Sequence, residues 1–317
     1  MKQTTSSNTV SQFIKKINKA TFIEKEVCLA PLTTFKCGGN ARYFCTPNTI
    51  KELVKVVKYA NHFKIPFFLL GHGANILVSQ KGFNGLVIHT KNLCLIKEKQ
   101  ISKELFLVTS ECGTTINNLE QYLLKSELSG LEVFNGLPSS VGGAIYMNAR
   151  CYEEDIASRL HSVTYLTKRG KIKRLMCKKN LSLFSYKKSL FSCSGGIILK
   201  ANFLLSKSTT QNIKTKMEYY YKERVNRGHF LYPSAGSIFK NNRAFNKPTG
   251  KLIEEARLKG LQINDAQVAP FHGNIIINLG NASPSDIKNL IQTVKTKVYQ
   301  QSGFKLEEEI IFVGEWQ

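Results

Sequence analysis

The chain has 317 residues, of which 42% are hydrophobic, so it is long enough for two domains and apolar enough for a sizeable core. No apolar run approaches the ~18 residues of a membrane span, and residues 1–20 lack the apolar centre of a secretory signal, so we interpret them as a loose or amphipathic lead-in. The formal net charge is +23, but Lys outnumbers Arg and is spread along the chain, which favours a generally basic surface over a nucleic-acid site.

The number and spacing of the cysteines indicate the redox environment of the protein and whether it has a metal-binding motif. Eight cysteines are dispersed along the chain, and none forms a Cys-x-x-Cys pair or lies at zinc-finger spacing from a histidine. Disulfide frameworks are typical of shorter secreted chains. We therefore predict reduced, structural thiols in a cytoplasmic protein, and no metal site.

The first half of the chain alternates helical and extended patterns. Residues 48–63 are predicted to form a helix with one apolar face, and Thr49 and Glu52 have the spacing of a capping box at its start. Pro66 breaks this helix. The remaining predicted elements of this half are a buried strand at 67–70, a Gly-His-Gly-Ala-Asn loop at 71–75, a strand at 86–89, a helix at 114–125 and a second glycine loop at 136–144.

The second half is richer in helices. An amphipathic helix is predicted over residues 284–299, with Ser283 as N-cap and Pro284 at the first helical position. The residues predicted to face inward are Ile287, Leu290, Ile291, Val294 and Val298. Other predicted elements are helices at 209–226 and 249–258 and a closing strand at 306–313. Because the composition shifts near residue 206, we predict domains over residues 21–205 and 206–317.

The two glycine loops have the composition of a phosphate-binding site. Consecutive glycines expose backbone N–H groups, which surround phosphate oxygens. The first loop lacks the third glycine of a Rossmann fingerprint and the Gly-Lys-Ser/Thr of a Walker loop. One Gly-x-Gly is more often a turn than a site, but two loops in one domain suit a dinucleotide held across two subdomains.

A hydroxyl with nearby cationic and amide side chains lies in the run Tyr-Pro-Ser-Ala-Gly-Ser-Ile-Phe-Lys-Asn at residues 232–241. Ser237 follows Gly236, which allows close backbone approach to a ligand. A serine donates a proton when a partner holds it in line. The alternative is a tight turn entering a strand, since Pro, Ser and Gly are ordinary turn residues.

Four segments together resemble the family of UDP-N-acetylenolpyruvoylglucosamine reductases over residues 31–315. They are Thr-Thr-Phe-Lys-Cys-Gly-Gly at 33–39, the first glycine loop at 71–77, the run from Gly-Leu-Glu to Tyr-Met-Asn-Ala at 130–149, and Ser-Ala-Gly-Ser-Ile-Phe-Lys-Asn at 234–241 with the short motifs at 252–256, 259–261 and 266–268. The resemblance implies an α+β fold. It comprises a two-subdomain FAD-binding module of the vanillyl-alcohol-oxidase (PCMH) type and a smaller α+β C-terminal substrate domain.

The resemblance also implies a reaction of peptidoglycan synthesis. NADPH reduces FAD, and the enolpyruvyl group of UDP-GlcNAc-enolpyruvate is then reduced to give UDP-N-acetylmuramate. The predicted partner is this small-molecule substrate, and we expect no nucleic-acid partner, no membrane partner and a monomeric chain. The short segment between Lys187 and Ser237 matches the shorter subtype of the family, which lacks an extra substrate-capping loop.

Roles carry over to this chain by resemblance. Ser237 is the proton donor, Glu309 orients or assists that proton transfer, and Lys187 occupies a position where the family has an arginine. Lys keeps the positive charge but loses the planar fork that grips a carboxylate. The implied cofactor-binding residues are Gly71, Gly73, Ala74, Asn75, Gly136, Pro138, Ser139, Gly142 and Gly143. The implied substrate-binding residues are Tyr186, Arg227, Asn241 and His272.

Departures from the family pattern keep other interpretations open. Ala74, the Ser-Ser pair at 139–140 and the Arg-Cys pair at 150–151 replace the usual residues around the cofactor, and each affects the expected FAD affinity. The alternatives are another oxidoreductase of the same flavin fold, a protein that binds UDP-sugar or flavin without turnover, and a nucleic-acid binder that rests on charge alone. Solvated surface charge is the plain alternative for Glu309 and Lys187, and a turn residue for His272.

Overall fold

A computed structural model describes residues 7–17 and 21–316, with side chains for 12–17 and 21–316. Of the predicted lead-in over 1–20, residues 1–6 and 18–20 lie outside the described residues, and Ser7–Ile17 forms a helix. Phe13 and Ile17 on this helix are fully buried. The Phe13 ring lies edge-on to Phe63 with 6.0 Å between centroids, so this part of the lead-in packs as an amphipathic helix.

The described residues form an α+β protein, as the sequence predicts. The helices are α1 (Ser7–Ile17), α2 (Ile50–His62), α3 (Ile116–Lys125), α4 (Val141–Tyr146), α5 (Leu190–Ser194), α6 (Thr210–Asn226), α7 (Thr249–Glu255) and α8 (Pro284–Ser302). The strands are β1 (Glu24–Cys28), β2 (Asn40–Cys45), β3 (Phe67–Leu70), β4 (Ile76–Val78), β5 (Phe83–His89), β6 (Ile96–Gln100), β7 (Leu105–Glu111), β8 (Leu128–Ser129), β9 (Arg150–Cys151), β10 (Glu154–Asp155), β11 (Leu160–Leu166), β12 (Ile172–Met176), β13 (Phe184–Ser185), β14 (Lys188–Ser189), β15 (Ile197–Lys207), β16 (Ser234–Ser237), β17 (Gln262–Ile263), β18 (Ala266–Val268), β19 (Ile275–Asn278) and β20 (Ile311–Val313). None of the described helices is long and apolar enough to cross a membrane.

Two compact units divide the chain. The first comprises the described residues up to Glu24, Phe44–His72 and Gly85–Lys222. The second comprises Lys25–Tyr43, Gly73–Asn84 and the described residues from Glu223 onward. The first glycine loop therefore contributes Gly71 and His72 to one unit and its last three residues to the other.

The first unit contains an antiparallel sheet with the strand order β12-β11-β15-β7-β6, and β8 also pairs with β15. β15 is the central strand because it pairs with β11 on one side and β7 on the other. Val108, Val163 and Phe203 on these strands are fully buried, so the sheet carries much of this unit's core. Hydrophobic burial of this kind is the main force that holds such a unit together.

The same unit contains a parallel pair of strands, β3 and β5, in which Leu70 lies opposite His89. The preceding helix α2 has its predicted N-cap, because Thr49 Oγ1 accepts the N–H of Glu52 at 3.2 Å. The predicted capping box is incomplete, since the Glu52 carboxylate accepts the N–H of Asn48 at 2.8 Å. Ligands of open α/β sheets bind at the carboxyl ends of parallel strands. In this pair those ends are the residues after Leu70 and after His89, and the Thr90 hydroxyl donates to the Leu70 carbonyl at 3.2 Å to join them.

The second unit contains an antiparallel sheet with the order β16-β19-β18-β17. Helix α8 begins as predicted, with Ser283 as N-cap, Pro284 in its first turn and a capping box with Asp286. Its predicted inward residues are all buried, namely Ile287, Leu290, Ile291, Val294 and Val298. They join residues of the sheet, including Ile238 and Ile276, in one hydrophobic cluster.

Two sequence-based expectations are wrong in extent. The predicted strand at 306–313 is a strand only over Ile311–Val313, where it runs parallel to β4. The preceding residues change partner, since Glu308 forms an isolated antiparallel bridge with Phe239. The predicted loop at 136–144 contains the start of helix α4, which the sequence conceals because glycines 142 and 143 disfavour a helix.

Candidate active site

Ser237 ends β16 directly after a β-bulge. In the register with β19, Ser234 lies opposite Ile277 and Ser237 lies opposite Ile275, so β16 carries one extra residue. Gly236 accommodates it with a φ of 69°, a conformation that a residue with a Cβ adopts only at a cost. Bulges re-aim side chains beside active sites. The Ala-Gly pair before Ser237 is therefore a backbone requirement of the bulge.

Asn274 fixes the segment that follows Ser237. Its Oδ1 accepts the N–H of Phe239 at 2.9 Å, and its Nδ2 donates to the Phe239 carbonyl at 2.8 Å. Its backbone carbonyl accepts the N–H of Ile238 at 2.9 Å. Asn274 is 4% exposed, so these bonds form away from water and hold the backbone next to Ser237 in one position.

Replacing Asn274 by Ala is expected to lower the free energy of unfolding by about 3 kcal/mol, because it leaves the buried N–H and C=O of Phe239 unpaired. Chemical denaturation measures this change. Asn289→Ala is the control, since Asn289 is an exposed asparagine on α8, and little loss is expected. Equal losses in both variants would contradict the paired-bond explanation.

A backbone hydrogen bond holds Glu309 next to the segment that contains Ser237. The Glu309 N–H donates to the Ile238 carbonyl at 2.7 Å. On its other side, Asn75 Nδ2 donates to the Glu309 carbonyl at 3.2 Å. The second unit thus brings together the predicted proton donor, the predicted acid and Asn75 of the first glycine loop.

The two acids before Glu309 have other partners. Glu307 forms an ion pair with Lys240, and Glu308 forms one with Lys295 at 2.6 Å. Glu307 has 68% of its side chain exposed, so its pair is a surface interaction of small energetic value.

Lys187 belongs to the first unit, in the two-residue turn between β13 and β14. Its φ is 57°, and its Nζ lies 5.8 Å from the centre of the neighbouring Tyr186 ring. Two hydrogen bonds fasten this hairpin to the end of the second glycine segment. Asn148 Nδ2 donates to the Ser185 carbonyl at 3.0 Å, and Ser189 Oγ donates to the Tyr146 carbonyl at 2.6 Å.

A basic cluster in the second unit surrounds two of the predicted substrate residues. The His272 and His229 rings lie 6.4 Å apart. Burial, and then the charge of Arg224, lower the pKa of His229 to about 4. The pKa of His272 is also lowered, mainly by burial and further by Arg227. Both imidazoles are therefore neutral at pH 7, and the two guanidinium groups carry the cluster's charge.

Sequence reasoning missed His229 and favoured Arg227 over Arg224. Arg224 is only 7% exposed, whereas Arg227 is mostly exposed and pairs with Glu223 at 3.2 Å. A buried arginine needs compensating contacts, so its burial marks Arg224 as the more constrained cation. The resemblance places both Arg224 and Arg227 near basic residues of the family, and Arg227 matches that position more closely.

Asn241 connects this region to the start of α7. Its Oδ1 accepts the N–H of Thr249 at 2.9 Å, and Thr249 Oγ1 donates to the Lys240 carbonyl at 2.8 Å. His272 approaches the adjoining Gly250, where a Cβ would lie 3.4 Å from its ring. The predicted substrate residues Asn241 and His272 therefore meet at the same helix start.

The two glycine loops meet within the first unit. A Cβ on Gly71 would lie 2.4 Å from the Oγ of Ser140, a separation that real Cβ atoms do not reach. Ser140 Oγ is held in place by a hydrogen bond, since it accepts the N–H of Gly143 at 3.2 Å as the N-cap of α4. Only glycine at position 71 allows the loops to approach this closely, which supports their prediction as one binding region.

Replacing Gly71 by Ala is expected to cost about 2 kcal/mol of stability, because the new methyl group displaces the capping hydroxyl of Ser140. Ser140→Ala alone is expected to cost about 1 kcal/mol, the value of a cap. The double variant is expected to cost little more than Ser140→Ala, since the colliding oxygen is gone. Denaturation of the four proteins measures the coupling, and additive losses would contradict the contact.

The other predicted cofactor glycines have close packing partners. Gly73 has a φ of 69°, and a Cβ there would lie 2.2 Å from the Leu32 carbonyl. Its own carbonyl accepts the N–H of Thr34 at 3.2 Å, so the motif at 33–39 and the first glycine loop fold against each other. A Cβ on Gly142 would lie 3.0 Å from Cys112, and Gly136 turns with a φ of 76°.

Near this junction the described residues include two buried polar atoms with no hydrogen-bond partner, Nδ1 of His89 and Oγ1 of Thr114. The Ser139 carbonyl beside Pro138 accepts the N–H of Ile116 at 2.9 Å, which holds the second loop on α3. Converging glycine loops with unmet polar atoms beside them fit a dinucleotide such as FAD. All eight cysteines are free thiols in the structure.

Two family models match the chain. Residues 228–313 match "UDP-N-acetylenolpyruvoylglucosamine reductase, C-terminal domain", and residues 41–176 match "FAD binding domain". The matched ranges contain Ser237 and Glu309 in the first case and both glycine loops in the second.

Curated relatives and a solved structure agree with these matches. The chain is 44% identical over 298 residues to the UDP-N-acetylenolpyruvoylglucosamine reductase of Treponema denticola, covering 91% of this chain and 92% of the relative. It is 41% identical over 307 residues to that of Borreliella burgdorferi, covering 96% and 98%. The crystal structure of the Thermus caldophilus reductase superposes with a TM-score of 0.75 at 29% identity, covering 92% of this chain and 99% of that one.

Proposed function

The chain belongs to the family of UDP-N-acetylenolpyruvoylglucosamine reductases, and we propose that Ser237, Glu309 and Lys187 carry out its proton transfer and charge stabilisation. The protein is an FAD-dependent oxidoreductase that uses NADPH to convert UDP-GlcNAc-enolpyruvate to UDP-N-acetylmuramate in peptidoglycan synthesis. Its FAD-binding module and α+β substrate domain are those that the sequence predicts.

The glycine loops would hold FAD, which would supply a hydride, taken from NADPH, for C3 of the enolpyruvyl group. Negative charge then develops from C2 towards the carboxylate, and it requires a nearby cation and a proton donor. Ser237 Oγ gives its proton to C2. Lys187 stabilises the carboxylate with its single positive charge.

The observation that carries this assignment is the pairing of two segments distant in sequence. The Glu309 N–H bonds the Ile238 carbonyl, one residue after Ser237, and Asn75 holds the Glu309 carbonyl. We propose that this arrangement keeps the Glu309 carboxylate oriented towards the serine hydroxyl. Steady-state NADPH consumption by the FAD-loaded protein, with and without substrate, tests the function, and consumption that ignores the substrate would overturn it.

The remaining assignments complete the proposal. Gly71, Gly73, Ala74, Asn75, Gly136, Pro138, Ser139, Gly142 and Gly143 hold FAD. Tyr186, Arg227, Asn241 and His272 bind the substrate, and the basic cluster around His272 supports a diphosphate-bearing ligand. We also propose a boundary near residue 206 between FAD and substrate domains, a cytoplasmic location, a monomeric chain, and no nucleic-acid or membrane partner.

Lys187→Arg is expected to raise kcat or leave it unchanged, because a guanidinium grips a carboxylate through two hydrogen bonds where an ammonium uses one. Lys187→Met removes the charge and is expected to lower kcat by at least about tenfold. Steady-state kinetics with saturating NADPH compare the two variants. A kcat for Lys187→Arg below that of the wild type would show that Lys187 is not an imperfect replacement for arginine.

A further inference from the structure

Among the polar side-chain atoms of the first unit that are buried without a hydrogen-bond partner in the described residues are Nδ1 of His89 and Oγ1 of Thr114. His89 is 8% exposed and Thr114 is 0% exposed. Buried polar side chains are nearly always hydrogen-bonded, and each exception calls for an explanation such as a ligand or an ordered water. The mechanism above uses neither residue.

The two residues flank one close backbone contact. A Cβ on Gly113 would lie 1.7 Å from the carbonyl oxygen of Thr90, so only glycine fits there. Leu93 joins the two segments, because its N–H donates to Thr90 and its carbonyl accepts from Gly113, both at 2.9 Å. His89 precedes Thr90 and Thr114 follows Gly113, so both lie next to this junction.

Each residue is also attached to one of the two glycine loops. The His89 imidazole hydrogen-bonds the backbone of Gly71. The Thr114 carbonyl accepts the N–H of Val141, which follows Ser140, at 2.8 Å. Because Gly71 and Ser140 themselves touch, the two unmet atoms lie beside the place where the loops meet.

The protonation state of His89 fixes what its free nitrogen can bind. Burial, with smaller effects of Lys91 and His72, lowers its pKa to about 4, so the ring is neutral at pH 7. The bond to Gly71 acts in the opposite sense, as a bond does when the imidazole donates to a carbonyl. A neutral imidazole has one donor and one acceptor, so Nδ1 is the acceptor and needs a donor from a partner.

We propose that His89 and Thr114 form a subsite for a sugar hydroxyl of the bound flavin dinucleotide. This inference rests on the FAD site proposed above. The first glycine loop would lie against the diphosphate, and in FAD that diphosphate is flanked by a ribose and by a ribityl chain, both rich in hydroxyls. A sugar hydroxyl can donate to an acceptor such as His89 Nδ1 and accept from a donor such as Thr114 Oγ1, so the hydroxyls of one sugar would satisfy the two buried atoms.

The affinity of the apoprotein for FAD, measured by quenching of flavin fluorescence, tests the subsite without any turnover. Thr114→Val removes the hydroxyl with little change of shape, and binding about tenfold weaker than wild type is expected. His89→Gln keeps an amide near the Nε2 position and loses the Nδ1 acceptor, whereas His89→Asn keeps an amide near Nδ1. Weaker FAD binding by His89→Gln than by His89→Asn is expected, and His62→Gln on the exposed side of α2 is the control.

Competition by fragments identifies the hydroxyl. ADP carries the ribose and FMN carries the ribityl chain, so Thr114→Val should weaken competition by one of them and spare the other. Unchanged FAD affinity in both Thr114→Val and His89→Gln, with lower thermal stability, would overturn the inference and point to a buried water. A wild-type protein that does not bind FAD would overturn the flavin assignment itself, which is a different outcome.

Discussion

Replacing Ser237 by Ala is expected to lower kcat for substrate reduction about 10³-fold, the usual contribution of a positioned general acid. The hydroxyl lies directly after the bulge at Gly236, and Asn274 fixes the backbone that follows it. Alanine removes the proton donor without disturbing either feature. Reduction of the bound flavin by NADPH needs no proton from Ser237, so its rate is expected to stay unchanged.

Stopped-flow absorbance separates these two steps. Ser234→Ala in the same strand is the matched control, since it removes a half-buried hydroxyl on the far side of the bulge. It should leave both steps near the wild-type rates. Equal loss of both steps in Ser237→Ala would indicate a damaged fold and contradict the assigned role.

Replacing Glu309 by Gln is expected to lower kcat about 10²-fold with little change of KM for the substrate. The backbone bonds to Ile238 and Asn75 do not involve the carboxylate, so they persist in the variant. The loss therefore reports on the orientation of the serine hydroxyl. Steady-state kinetics at saturating NADPH, repeated across the pH range, measures this loss.

Glu307→Gln is the matched control for this change. Glu307 is two residues away, is mostly exposed and pairs with Lys240. Its replacement is expected to leave kcat and the pH profile unchanged, because a surface ion pair contributes little. Equal effects at 307 and 309 would show a general charge effect and contradict a positioning role for Glu309.

The sequence predicts well the features that depend on local patterns. Helix α8 follows from the Ser283 cap, Pro284 and its apolar spacing, and all five predicted inward residues are buried. The strand β3 follows from the apolar run after Pro66. The family motifs around Gly71 and Ser237 are confirmed by the matching family models.

Features that depend on distant contacts escaped sequence reasoning. The last strand is short because its segment changes hydrogen-bond partner. The Glu309 N–H donates to Ile238, whereas the Ile311 N–H donates to Asn75, and no local sequence pattern indicates this change. Helix α4 forms because Ser140 caps it and Cys112 packs on Gly142, which outweighs the poor helix propensity of glycine.

The burial of individual polar side chains also could not be predicted from the sequence. His89 is the last residue of β5 and follows the apolar residues 86–88. The residue pattern of this strand therefore does not indicate a buried polar atom. Arg224 lies in a polar helix among many exposed cations, and only the structure shows its burial. The residue types were visible in each case, but their burial was set by elements far away in the sequence.

A single-turnover experiment tests directly whether this protein reduces the enolpyruvyl group of its substrate with flavin. The wild-type protein is loaded with FAD, reduced with one equivalent of NADPH without oxygen, and mixed with UDP-GlcNAc-enolpyruvate while flavin absorbance is followed. We expect the flavin to reoxidise at the same rate as product forms. Mass spectrometry should show that this product is heavier than the substrate by two hydrogens. A flavin that stays reduced in the presence of substrate would contradict it.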